Sequence, residues 1–200
     1  MKTLLTLLTI TLVATGAMAV MDPDPNGIGI YFDLDGDVVC TTTAAPFANV
    51  TAYLLATNID ATSGIAGWEA LITTGGAAPV APAWTLAAGL DVDDSPDGFQ
   101  VGIGTVSPLP FGTTVLMATW SGFVMTPTDM IEFFVSGVPG SVSFPSSPGY
   151  AAGDSAGDLR AMQVSSGTGM GVPVAMINAP ECSVVANEDL TFSSVKALFR

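Results

Sequence analysis

Hydrophobic and polar positions in this chain alternate in short bursts, at the period of a strand and not of a helix. Ile28, Ile30, Phe32 and Leu34 alternate with Gly29, Tyr31 and Asp33. Phe99, Val101 and Ile103 repeat the pattern against Gln100, Gly102 and Gly104, and Ile131, Phe133 and Val135 against Glu132 and Phe134. A period of two marks a strand with one face on a core. Val172, Val174 and Met176 predict a late strand of the same kind. Four denser apolar runs, 51–57, 65–72, 84–87 and 113–120, read as central strands covered on both faces. Turn clusters rich in Asp, Ser, Pro and Gly separate them at 60–64, 93–98, 107–110 and 126–128. Short strands at this spacing predict an all-β fold, a β-sandwich or jelly roll.

Two stretches break the pattern. Residues 137–171 are rich in Gly, Ser, Pro and Asp, and read as a long insertion: a functional loop or a weakly paired hairpin extension. At the end, Ser193 can cap a short helix with Val195, Leu198 and Phe199 on one face.

The first nineteen residues change the picture most. Lys2, the apolar run 4–13 and Ala17-Met18-Ala19 have the three-part form of a secretory signal peptide, cut after Ala19. The run is too short to span a membrane. Residues 20–200 are then expected to work as a single domain outside the cytoplasm. That domain keeps all 18 acidic residues but loses Lys2, so its net charge goes from −14 to about −15. Phosphate neutralisation needs clustered Lys and Arg, so nucleic acid is excluded as a partner, and so are anionic membrane surfaces. Charged residues are only 11% of the chain, which excludes acidic disorder. In an oxidising compartment Cys40 and Cys182 most simply form a disulfide, with two free thiols as the alternative.

The chain has no histidine, which removes Ser-His-Asp and Cys-His catalysis and His-ligated metals. Carboxylate chemistry survives. A glycosidase needs two carboxyl groups about 5–10 Å apart, and Glu69, Glu132, Glu181 and Glu188 are the candidates. Glu69 and Glu132 also read simply as outward strand positions. Calcium is the one cofactor the residues suggest, because hard cations take oxygen ligands from acidic turns. Asp33, Asp35 and Asp37 form one candidate set, and Asp91, Asp93, Asp94 and Asp97 a second. The plain reading of both is a turn whose carboxylates bond the backbone. Arg160 is expected to pair with a nearby carboxylate, Asp154 or Asp158. Among the aromatics, Trp68 and Trp120 lie in runs that predict burial. Trp84 and Tyr150, flanked by Ala, Pro or Gly, are the candidates for an exposed pair that stacks on sugar rings.

Residues 57–72, Thr-Asn-Ile-Asp-Ala-Thr-Ser-Gly-Ile-Ala-Gly-Trp-Glu-Ala-Leu-Ile, resemble the early strands of cohesin-like domains, where a polar turn leads into a Gly-Ile-x-Gly-aromatic strand. Gly98-Phe-Gln-Val-Gly-Ile, Val115-Leu-Met-Ala-Thr-Trp and Ile131-Glu-Phe-Phe-Val follow in a similar order, so the resemblance covers residues 49–136. The Gly/Ala/Pro-rich segment after Ile72 departs from that pattern. The resemblance implies an antiparallel jelly-roll sandwich of about nine strands, used for extracellular protein attachment or, in relatives, carbohydrate binding. The expected function is therefore a secreted, non-enzymatic sandwich that attaches to an extracellular protein or builds a surface structure. A carbohydrate-binding module, calcium-assisted, and a carboxylate-only glycosidase are the alternatives.

Overall fold

A computed structural model describes residues 24–93, 98–154, 157–165 and 171–180. The expected signal peptide and C-terminal helix, and Asp94, Asp97, Glu181, Cys182 and Glu188, lie outside the described residues. Two sheets face each other across one core.

The first sheet has the order β12-β1-β3-β8-β5. It is built from β1 (Gly27–Tyr31), β3 (Ala48–Thr57), β5 (Val80–Leu86), β8 (Thr114–Val124) and β12 (Gln163–Val164). The second runs β11-β10-β4-β9-β13-β2, from β2 (Cys40–Thr41), β4 (Ile65–Gly76), β9 (Ile131–Ser136), β10 (Gly149–Ala152), β11 (Leu159–Ala161) and β13 (Ala175–Ile177). On the other edge of β4 lie β7 (Gly98–Gly102) and then β6 (Leu90–Asp91). The 12-residue β4 is long enough to pair with β10 through its first half and β9 through its second, with β7 opposite.

The alternation read from the sequence is visible in β9, where Ile131, Phe133 and Val135 are buried between half-buried neighbours. The inward rows meet in one cluster. Trp120 stands edge-on to Phe133 at 5.1 Å, Trp68 tilts against Phe99 at 5.4 Å, and Ile28, Ile30, Leu54, Ile65 and Ile72 fill the space between. Aromatic pairs at these separations add roughly 0.5–1.5 kcal/mol beyond their buried area.

Four expectations are corrected. The sheets are mixed, not purely antiparallel: β1 runs parallel to β12 and β13 parallel to β2. The described residues hold 13 strands, several of only two or three residues, where about nine were expected. The 84–87 run is no central strand. Residues 84–86 belong to β5, which among the described residues has only β8 as a neighbour, so Val80, Ala81, Pro82 and Ala83 are exposed and only Trp84 and Leu86 lean inward. Trp84, Leu86 and Ala87 give the run an apolar density that full burial on both faces does not match. Pro82 and the positive φ of Ala81 (48°) break the ladder on that edge, which protects it from pairing with another chain. Conversely, β1 is buried along its whole length, because Tyr31 and Leu55 on its outward side join a satellite cluster with Val39 and Met176.

The fourth correction concerns 137–171. This segment is no projecting insertion: it supplies β10, β11 and β12, one of them to the first sheet and two to the second. Its glycines and serines serve close packing. Gly149 lies under the Phe144 ring, and a Cβ at Gly153 would collide with the Ser63 carbonyl.

Candidate functional site

The outer face of the second sheet carries a groove that follows from strand register. Across β10, β4 and β7, Ala151, Gly67 and Gly102 stand in one row, and Gly149, Glu69 and Gln100 in the next. Residues directly opposite in antiparallel strands point the same way. Trp68, between the two rows on β4, is buried in the core, so both rows face outward. The first row has no side chain larger than a methyl group and forms a floor. At Gly102 a Cβ would meet nothing within 4 Å.

Glu69 and Gln100 wall one side. Beyond them the Phe144 ring occupies the space over Gly149, on a loop held where the Ser141 hydroxyl oxygen accepts the Phe144 N–H at 3.0 Å. Leu159, 45% exposed, forms a rim. The groove is open to solvent and has a volume of about 200 Å³. One carboxylate oxygen of Glu69, Oε1, is sealed from solvent and receives no hydrogen bond among the described residues. A buried acceptor left without a donor costs about 1–3 kcal/mol, more when charged.

Beside the groove, a polar clamp closes the edge of the sandwich. The Tyr150 hydroxyl lies 2.7 Å from Asn26 Oδ1 and 3.0 Å from Asp60 Oδ1, and its single hydrogen serves one or the other. Arg160, opposite Tyr150 on β11, donates from Nη1 to Asp60 Oδ1 at 2.5 Å and from Nη2 to Asp158 Oδ2 at 2.6 Å. Asn26 Oδ1 also accepts the Asp60 N–H at 3.2 Å. The clamp therefore joins β10 and β11 to the lead-in of β1 and to the turn between β3 and β4. Burial pulls the Asp60 carboxyl upward, but hydrogen bonds from Arg160, Asn26 and Tyr150 hold it below its ordinary value of 3.8. The Arg160 bond lowers Asp158 likewise, and the two carboxylates raise Arg160. Burial, with the Asp60 carboxylate beside it, pushes the Tyr150 phenol up to about 12.

This arrangement revises the aromatic candidates. Tyr150 is fully buried, so it offers no stacking face; its flanking Gly149 and Ala151 are small because Phe144 and the groove floor need the space. Trp84 is half-buried, its ring edge-on to Phe99 at 5.7 Å, because beyond the register shift in β5 it stands opposite the buried Trp120 and turns with it toward the core. Trp68 and Trp120 are core residues, as their runs predict. Arg160 pairs with Asp158, and with Asp60 in place of Asp154. Asp60 comes close only through the fold, a hundred residues away in sequence.

The acidic turns use their carboxylates on the backbone. Asp33 Oδ1 accepts the N–H groups of Asp37 and Val38 at 3.1 and 3.0 Å, while Asp35 and Asp37 are exposed. Asp91 Oδ1 accepts those of Asp93 and Gln100, both at 3.1 Å. Among the described residues no three acidic or cysteine side chains come together to hold a metal ion. Glu69 and Glu132 lie far apart. Glu132 stands opposite Gly75, six residues along β4 from Glu69, which is about 20 Å at the rise of a strand. That exceeds the span of a glycosidase carboxyl pair. Cys40 is half-buried on β2 beside the satellite cluster.

The groove was missed in the sequence although Glu69 was read as outward-facing. Its one signal is glycine at alternate strand positions, Gly67 and Gly102, and only register places those side by side.

No protein-family description and no curated protein sequence matches the chain. Among solved structures it is similar to a type II cohesin domain from the cellulosome of Acetivibrio cellulolyticus, at 13% sequence identity and a TM-score of 0.46. The similarity covers 81% of this chain and 98% of that domain.

Proposed function

We propose that this chain is a secreted, non-enzymatic attachment module that binds an extracellular protein through the outer face of its second sheet. The observation that carries this reading is the groove: a floor of Ala151, Gly67 and Gly102 on paired strands between side-chain walls, with an acceptor on Glu69 that receives no hydrogen bond among the described residues. Sites built on paired strands hold their geometry better than sites on loops, and an unsatisfied buried acceptor is a feature that binding can relieve. The cohesin-like resemblance of residues 49–136 and the leader support the same reading. The Cys40–Cys182 disulfide belongs to it as the tie between the start and the end of the exported domain.

Gly102→Trp fills the floor at the one place where a side chain meets nothing. A partner captured from culture supernatant by the natural chain is expected to be lost by this variant, with thermal melting unchanged. Capture by both chains alike would remove the groove from the function. Sugar binding is the weaker reading, because the rings of Trp84 and Tyr150 are engaged within the fold.

A further inference from the structure

The geometry points to a receptor for one basic side chain, an arginine of the partner, in the Glu69–Gln100 groove. This inference rests on the attachment reading above and names what the groove accepts.

Three observations carry it. Glu69 Oε1 is buried without a donor among the described residues, so the groove lacks a donor and not an acceptor. An arginine supplies donors and no acceptor. Glu69 and Gln100 are directly opposed across β4 and β7, with side-chain roots about 4.5–5.5 Å apart. The carboxylate and the carboxamide oxygen then form paired acceptors, which the planar fork of a guanidinium matches better than a point-charge ammonium does. Glu69 lines the groove, and rotation of its side chain about χ1–χ3 turns the carboxylate from its sealed position toward the mouth, where the guanidinium supplies the missing donors. The flat glycine floor and the Phe144 and Leu159 flanks suit the apolar stem and planar head of the same side chain. A net charge of −14 on the whole chain favours a cationic partner over an anionic one.

The test titrates ¹⁵N-labelled protein with N-acetyl-arginine-N-methylamide, and in parallel with its uncharged citrulline counterpart. The arginine amide is expected to shift the amide signals of Gly67, Gln100, Gly102 and Ala151, saturating in the millimolar range that a single charged contact supports. The citrulline compound leaves them in place. Glu69→Gln keeps the shape and loses the charge, and should weaken binding by roughly tenfold or more. Gly102→Trp should abolish it, and 0.5 M salt should weaken it.

Absence of shifts, equal shifts with citrulline, or retained binding in Glu69→Gln would each overturn the arginine assignment. The two readings fail separately. Partner capture that Gly102→Trp abolishes and Glu69→Gln leaves intact keeps the attachment function and rejects the arginine. Capture unaffected by Gly102→Trp rejects both.

Discussion

Replacing Tyr150 with Phe removes one oxygen atom from the interior and leaves the ring, so no cavity opens and the clamp alone is tested. The hydroxyl lies 2.7 Å from Asn26 Oδ1 and 3.0 Å from the charged Asp60 Oδ1. A hydrogen bond to a charged group contributes about 1.5–3 kcal/mol. Asp60 keeps Arg160 and its side chain is 49% exposed, so the lower part of that range applies. We expect a loss of about 2 kcal/mol in denaturant unfolding, and a fall in Tm of roughly 4–8 °C for a chain of this size. The pH dependence gives a second, independent readout. The folded-state pKa of Tyr150 is raised from 10.0 to about 12. Its contribution is therefore complete below pH 10 and is lost as pH rises through about 12, by about 2–3 kcal/mol. The difference between the natural chain and Tyr150→Phe should be flat below pH 10 and shrink above it. Asp60 and Asp158 act in the opposite limb. Their folded values lie below 3.8, so their contribution is present above that pH and lost as pH falls through the folded values. Equal stability of the two chains at neutral pH, with superimposable alkaline limbs, would refute the clamp.

Gly149→Ala puts a methyl group into the Phe144 ring, and should lower stability by about 1–3 kcal/mol or expel the ring, seen as increased exposure of the loop to protease. Asp33→Ala frees the N–H groups of Asp37 and Val38, and should cost about 1 kcal/mol in urea unfolding to the same extent in calcium and in EDTA. A cost present only with calcium would make the turn a metal site. The proposed Cys40–Cys182 disulfide closes about 140 residues, and Cys40→Ser should destabilise by up to roughly 4–5 kcal/mol in the chain-entropy model. Mass spectrometry after alkylation without reductant should find no free thiol in the natural chain, and labelled cysteines would contradict the pairing.

Much of this fold was legible because a strand with one face on a core leaves a period-two record in its own residues. Ile131, Phe133 and Val135, or Phe99 and Val101, needed no knowledge of their neighbours to be placed inward. The same local logic predicted that Trp68 and Trp120 are core. It failed where burial depends on a strand's position in the sheet. The apolar run 84–87 looks like a core strand, yet β5 is an edge with a single neighbour among the described residues. Tyr150 sits among small residues that suggest an open surface, yet it is sealed by Asn26, Asp60 and Arg160, which arrive from three other segments of the chain.

By itself the sequence determined the strand class, the inward rows and, through the lack of histidine, which catalytic mechanisms are closed. Each of these is written in composition or in neighbouring residues. Only the tertiary structure decided the groove and the clamp. Gly102, Gly67 and Ala151 are far apart in sequence and form one floor only when β7, β4 and β10 pair in that register. A shift of one residue would turn Glu69 into the core and Trp68 out to solvent. Register is set by long-range pairing, which no local pattern encodes, and the groove is made of register.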